Sequence, residues 1–256
     1  MPNWVKNVLS VENCNERRFN QICEFVKSEN SPFDYNRIIP MPEDLDLEEG
    51  SANEFFKNLV LKYAGRYAVP ALIDFDCGIT SDELAKARRY IENPREPGTM
   101  SDLDIFHEAL NLGHQYLENS ERYGAETWYF WRSAHWGTKW NTLDDVIIPD
   151  GKMSWEFRSP WCPPLPVIRV LSQIFPEVRF VLQYADEDLG QNCGIVEYID
   201  GVSTNFEFTS EEKAFDFACG LWDLDPDEER KERESWNSED DDEDCFPGCD
   251  DDYPEY

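Results

Sequence analysis

The chain has 256 residues, of which 41% are hydrophobic, so it is long enough and apolar enough to bury a sizeable core. It carries 54 acidic against 23 basic residues, a formal net charge of −31. This charge disfavours non-specific binding to nucleic acid or to an anionic membrane, and it favours contact with basic protein surfaces.

The first 50 residues predict a strand, a helix and an extended connection. The segment Lys6–Val11 is strand-like, although its alternation of polar and apolar residues is imperfect. Asn15–Ser28 carries apolar residues at helical spacing, and the pair Ser31-Pro32 ends that helix. An acidic loop then runs to Gly50.

Residues 51–120 predict an all-helical insertion. Glu83 is placed to complete a capping box at the start of the middle helix, since it lies three residues after Thr80. The predicted helices are Asn53–Tyr67, a second from Thr80 or Ser81 to Ile91, and a third that starts after Ser101. Three helices of this size favour a small bundle.

Residues 121–222 predict a return to strands, with Asp-Gly pairs as hairpin turns at Asp150-Gly151 and Asp200-Gly201. The predicted strands are Thr127–Arg132, Met153–Arg158, Val178–Tyr184, Gly194–Tyr198 and Ser203–Phe208. The predicted helices are Pro163–Phe175 and one that begins after Thr209 or Ser210 and ends near Trp222.

The order of these elements predicts an α+β fold in which a βαββαβ pattern with a terminal hairpin forms a mainly antiparallel sheet. We expect one α+β domain from residues 1–50 and 121–222, a helical insertion at 51–120, and an acidic tail at 223–256. The tail has 17 acidic and 3 basic residues and no apolar periodicity, which predicts disorder or local helix at Asp227–Trp236.

The segment Tyr123–Asn141 contains four Trp, two Tyr and one Phe. Together with the opening Met-Pro-Asn-Trp, with Ile38–Pro42 and with Ser159–Phe180, it resembles the YubB-type ferredoxin-like proteins of conjugative plasmids and phages. The resemblance implies a ferredoxin-like fold and a mobile genetic element as the context, and it implies no defined activity.

The aromatic segment has two interpretations. If Thr127–Arg132 is a strand, one of its faces packs on the helices and the other could be a platform on which bases stack. Few basic residues lie nearby in the sequence, so structural packing is favoured over base stacking.

Catalytic and cofactor motifs are missing from the sequence. Its 13 glycines form no Gly-x-Gly pair, which disfavours nucleotide-binding loops, and no Gly-x-Ser-x-Gly elbow is present. His107 and His114 lie about 10.5 Å apart along a helix, too far for one ion. Cys245 and Cys249 supply only two of the four ligands that a structural zinc site needs. A catalytic pair of Cys162 and His135 is conceivable, but no known sequence spacing supports it.

We therefore expect no cofactor and no enzymatic activity. The predicted function is that of an acidic accessory protein of a phage or plasmid that binds a basic host or mobile-element protein. A more specific form of this hypothesis is that the protein inhibits a nucleic-acid-processing or defence enzyme by DNA mimicry. The alternatives are a single-stranded nucleic-acid-binding module that uses the aromatic sheet face and an enzyme with an unrecognised site.

The predicted partner-binding residues fall in the acidic tail and in the aromatic segment. They are Asp240, Asp241, Asp242, Glu243, Asp244, Trp131, Trp136, Lys139 and Trp140. Direct nucleic-acid binding is not expected. Without an export signal or a long apolar segment, we expect no membrane contact and a cytoplasmic location, and the oligomeric state is left open.

Overall fold

The structure, a computed structural model, describes residues 3–64, 79–92, 98–142, 145–206 and 208–240. Its centre is a five-stranded sheet in the order β2-β1-β3-β4-β5, in which all neighbouring strands are antiparallel. The strands are β1 Trp4–Glu12, β2 Ser154–Pro160, β3 Arg179–Asp186, β4 Cys193–Ile199 and β5 Val202–Phe206. The predicted antiparallel α+β fold is confirmed.

The sheet has a split βαβ unit at its centre. Strands β2 and β3 lie on either side of β1 and both run antiparallel to it, so they are parallel to each other. Helix α7 (Leu165–Ile174) connects them, and helix α1 (Glu16–Val26) follows β1. Alternate residues of the strands face these helices, as Leu9, Phe157 and Leu182 do, and they form the main hydrophobic core.

The remaining helices surround the sheet or extend from it. They are α2 Tyr35–Ile38, α3 Ser51–Leu59, α4 Ser81–Ile91, α5 Asp102–Tyr123, α6 Trp128–Trp136, α8 Glu211–Trp222 and α9 Pro226–Asp240, with a 3₁₀ turn at Glu43–Leu45 and a π-helical turn at Val60–Ala64. No helix in the described ranges is long and apolar enough to cross a membrane.

Helices α3, α4 and α5 form the predicted helical bundle and have a hydrophobic core of their own. Phe56, Ala87, Phe106 and Leu110 are buried in it. The predicted capping box is confirmed, since the Thr80 hydroxyl accepts from the backbone N–H of Glu83 while the Glu83 carboxylate accepts from that of Thr80. The proposed domain boundaries themselves remain a prediction.

One predicted strand is wrong, because residues 128–136 form α6. Thr127 caps its start, and Gly137 ends it at a φ of 81°. Side chains four residues apart stack along the helix. The guanidinium of Arg132 lies 5.0 Å from the ring centroids of both Trp128 and Trp136. These contacts require helical spacing. Because the segment is not a strand, it does not form the aromatic sheet face on which bases could have stacked.

The predicted Asp200-Gly201 hairpin is confirmed. Both residues have positive φ, 49° and 75°, as a type I′ turn requires. Asp150-Gly151 also forms a turn before β2, and on its other side Ile147 makes an isolated antiparallel bridge with Glu156.

Helix α8 lies on the other face of the sheet, and α9 packs against α8, with Arg230 and Arg233 over the ring of Phe215. Phe215, Ala218 and Cys219 of α8 pack against Ala185 of β3. Helix α9 confirms the predicted local helix and continues to Asp240. Residues 241–256 lie outside the described part of the chain.

Candidate functional site

The most acidic part of the folded body is the segment from residue 43 to residue 54. It has six carboxylates and no basic residue. The sequence Asp44-Leu45-Asp46-Leu47 alternates, so Leu45 is fully buried while Asp44 and Asp46 remain exposed. The buried leucine anchors a loop that presents its carboxylates to solvent.

Polar side chains of α5 fix the backbone of this loop. Asn119 donates to the carbonyl of Asp44 at 2.7 Å and to that of Glu126 at 3.1 Å. The Tyr116 hydroxyl donates to the carbonyl of Glu48 at 3.0 Å. Burial raises the pKa of Tyr116 to about 12, and the carboxylates of Glu48 and Glu49 add to the rise. The tyrosine therefore stays a hydrogen-bond donor at any physiological pH.

Between this loop and α5 lies a groove of about 730 Å³. We call it the acidic groove, and its lining residues are Asp44, Asn111, His114, Gln115, Glu118, Asn119, Glu121 and Arg122. Arg122 pairs with Asp44 at 3.3 Å, and His114 Nε2 lies 3.2 Å from Glu118. The Nδ1 atom of His114 is buried and has no hydrogen-bond partner in the part of the chain that the structure describes.

About half of the basic residues in the described ranges are paired with carboxylates. Eleven Lys and Arg side chains in the described ranges lie within ion-pair distance of a carboxylate: Lys6, Arg18, Lys27, Lys57, Lys62, Arg88, Arg122, Arg158, Arg179, Arg230 and Arg233. Because acidic residues outnumber basic ones by more than two to one, this pairing leaves many carboxylates uncompensated.

The predicted contact residues Trp131 and Trp136 are core residues. Their exposed fractions are 6% and 1%, and the indole N–H of Trp136 donates to the carbonyl of Ile39 at 3.0 Å. The two rings also pack edge to face. A partner cannot reach side chains buried in this way, so the interpretation as structural packing holds for these two residues.

Lys139 and Trp140 are half-buried and belong to a group that we call the tryptophan patch: Trp4, Lys139, Trp140 and Trp161. The Lys139 ammonium is 4.2 Å from the ring centroid of Trp140 and 3.8 Å from that of Trp161. Trp4 and Trp140 pack with centroids 5.9 Å apart, and Trp161 is 45% exposed. Sequence reasoning did not assign Trp4 or Trp161 to a site, because β1 and the end of β2 meet only through sheet pairing.

The other predicted residues are not brought together into a site. Asp240 ends α9, and Asp241, Asp242, Glu243 and Asp244 lie outside the described residues. Cys245 and Cys249 lie there too. No group of three or more metal-binding side chains occurs in the described ranges.

His135 is held by its own helix. Its ring stacks on Trp131 at 4.2 Å, and Nδ1 lies 2.8 Å from the Trp131 carbonyl. These contacts are structural and do not involve Cys162, the other half of the predicted pair.

Comparison with known proteins supports the fold. Residues 135–245 match the family model described as a ferredoxin-like domain in Api92-like protein. This segment runs from the end of α6 through β2–β5, α8 and α9, while β1, which completes the sheet, lies outside it. The predicted ferredoxin-like fold is thereby confirmed.

Among solved structures, the chain is similar to the crystal structure of a protein api92 from Yersinia pseudotuberculosis. The identity is 14% and the TM-score is 0.39, over 82% of this chain and 100% of that one. No curated protein matches this chain. The resemblance to YubB-type proteins of plasmids and phages remains a prediction.

Proposed function

We propose that this protein is an acidic accessory protein that binds a basic macromolecule through the acidic groove and its carboxylate loop. The observation that carries the proposal is the loop held on α5, in which six carboxylates occur without a basic residue. Asp44 is tied by its carbonyl to Asn119 and by its carboxylate to Tyr123, at 2.7 and 2.8 Å. A charged loop that is already ordered loses less conformational entropy when it binds.

The partner is, on this proposal, a basic protein of the host or of a mobile element. Nucleic-acid-processing and defence enzymes expose basic grooves to hold phosphates, so an acidic body can compete for the same surface. DNA mimicry by a phage or plasmid protein is the specific form of this idea. The protein is proposed to act without catalysis.

The test begins with capture of partners from cells on the immobilised protein at low salt, followed by elution with rising salt. The purified partner is then titrated against two variants with the same loss of charge. The first is Glu43→Gln/Asp46→Asn/Glu118→Gln in and beside the acidic groove. The second is Glu16→Gln/Glu29→Gln/Glu187→Gln, at exposed positions elsewhere.

We expect the groove variant to bind at least tenfold more weakly and the control to bind within threefold of the unmodified protein. Equal losses would mean that bulk charge, and no particular surface, attracts the partner. A chain that ends at Asp240 tests Asp241–Asp244 separately. If only the truncated chain loses binding, the binding site lies in the tail and not in the groove.

A second candidate function is supported by the tryptophan patch. The exposed indole of Trp161 and the half-buried indole of Trp140 lie beside an ammonium group, an arrangement that resembles the stacking surfaces of single-strand-binding proteins. If this candidate is correct, a labelled oligothymidine binds at low salt and Trp161→Ala abolishes the binding, whereas Phe130→Ala, at another exposed ring, does not. No binding of the oligonucleotide by the unmodified protein would eliminate this candidate.

A further inference from the structure

Strand β5 (Val202–Phe206) is an exposed edge of the sheet. It pairs with β4 on one side and has no neighbouring strand on the other in the described part of the chain. All five of its residues are exposed, and Val202 and Phe206 are 70% and 47% accessible to solvent.

The hairpin register decides which backbone groups of this strand are free. The pair that closes a two-residue hairpin, Ile199 and Val202, exchanges hydrogen bonds, and bonded pairs then alternate with unbonded ones. Val202, Thr204 and Phe206 therefore point their N–H and C=O groups at β4. Ser203 and Asn205 point theirs outwards, at the spacing that a further strand requires.

The chemistry of this edge is unusual for this protein. Val202–Phe206 contains no charged residue and no proline, in a chain that is 30% charged. Natural proteins usually protect a sheet edge with charge, proline or a covering segment. The opposite edge strand, β2, has such protection: it carries Glu156 and Arg158, ends in Pro160, and is bridged by Ile147.

We propose that β5 receives an extended segment of a basic partner as a sixth strand of the sheet. Main-chain hydrogen bonds to Ser203 and Asn205 would supply the pairing, and Val202 and Phe206 would pack against alternate side chains of the added strand. The inference rests on the proposed function in one respect, namely that the partner is basic.

Charge argues for that occupant over a second copy of this chain. The exposed carboxylates of Asp200, Glu211 and Glu212 lie beyond the two ends of β5. Antiparallel pairing of two copies centred on Thr204 would bring Asp200 of each copy towards residues 208–212 of the other, two of which are Glu. A basic segment meets the same carboxylates with the opposite charge.

The test uses three fluorescent peptides of equal length. The first alternates Lys with Val, the second replaces Lys by Glu, and the third is the first with every backbone nitrogen methylated. Each peptide is titrated against the full chain and against Asn205→Pro and Asn205→Ala. Proline removes only an outward N–H at this position, whereas alanine keeps that N–H.

We expect the Lys–Val peptide to bind the full chain and Asn205→Ala equally, and to bind Asn205→Pro at least tenfold more weakly. The Glu and methylated peptides should not bind. Thr204→Lys, which keeps the backbone pattern, should also weaken binding, and Thr204→Glu should strengthen it. These two variants decide the matter if Asn205→Pro does not fold.

Three outcomes would overturn the inference. Failure of the Lys–Val peptide to bind shows that β5 does not accept a basic strand. Equal binding of the methylated peptide shows attraction by charge alone, and the groove proposal then stands unaffected. A dimer in sedimentation experiments that Asn205→Pro dissociates would assign the edge to a second copy. The groove proposal is tested separately, by the charge-neutralised groove variant and its control.

Discussion

Gly113 of α5 lies directly against the backbone of α3. A Cβ atom placed on it would lie 2.2 Å from the Phe56 carbonyl oxygen and 2.6 Å from a methyl group of Val60. No rotamer change can relieve the contact with the carbonyl, because it belongs to the backbone of α3. Glycine is therefore required here for close helix packing.

We expect Gly113→Ala to lower the free energy of unfolding by about 3 kcal/mol, since overpacking forces two helices apart. Denaturant unfolding measures this change. Gly220→Ala is the matched control, because Gly220 is also helical and a Cβ atom added to it would meet no heavy atom within 4 Å. It should stabilise the protein by up to about 1 kcal/mol through helix propensity. Similar effects of the two variants would contradict the close packing.

Glu83 has a strongly lowered carboxylate pKa. Desolvation raises its pKa, but hydrogen bonds from Lys62, Tyr63 and Thr80 outweigh that effect and bring the value to about 2, from an ordinary 4.5. A lowered folded-state pKa means that the stabilisation is complete above about pH 4.5 and is lost as the pH falls through about 2.

Glu83→Gln should therefore cost about 1 kcal/mol at pH 7, after solvent screening of this partly exposed group is allowed for. The difference from the unmodified protein should shrink towards pH 2 in unfolding experiments at a series of pH values. Asp82→Asn makes the same change of charge in the same helical turn and should have little effect. A loss that does not depend on pH would contradict the ionic role of Glu83.

Among the elements, α6 shows how packing overrides local propensity. Aromatic residues favour strands, and Thr127–Arg132 satisfies that preference. The helix instead places Trp131 and Trp136 in the main core and stacks Arg132 between two indoles. Trp128, Arg132 and Trp136 are spaced four residues apart, as neighbours on one face of a helix are. This spacing indicates a helix only when cation–π contacts between Arg and Trp are counted as stabilising.

The predicted strand and the observed helix α6 expose different aromatic side chains. In the helix Trp131 is buried and Phe130 is 58% exposed. We expect Trp131→Ala to lower the free energy of unfolding by about 3 to 5 kcal/mol, and Phe130→Ala to change it by less than about 0.5 kcal/mol. Denaturant titration of both variants checks the burial assigned to α6. Comparable losses would indicate that both rings are buried.

For the molecule as a whole, the dominant property is its charge. A net −31 destabilises the compact state through self-repulsion, and salt screens that repulsion over a Debye length of about 8 Å at physiological ionic strength. The ion pairs of the surface weaken with salt as well, but exposed pairs contribute little.

We therefore expect the melting temperature to rise by several degrees between low salt and physiological salt. Calorimetry in sodium chloride and in potassium chloride should give the same rise, since screening does not depend on which of these cations is present. A fall in melting temperature with salt would mean that the ion pairs outweigh the net repulsion.

The sequence by itself determined the features that depend on neighbours along the chain. The capping box at Thr80, the cap at Ser101 and the turn at Asp200-Gly201 occur where local hydrogen bonding and positive φ predict them. The strand and helix periods of the first 30 residues and of the chain after residue 150 predicted the antiparallel α+β fold, because the buried face of each element recurs at a regular spacing.

Only the tertiary structure decided which side chains are accessible. It buried Trp131 and Trp136, exposed Trp161 beside Lys139, and left the outer edge of β5 without a neighbouring strand in the described part of the chain. It also placed the acidic loop along α5, through bonds between residues more than 65 positions apart. Such contacts have no period or local signal in the sequence, because they depend on which distant surfaces the folded chain brings together.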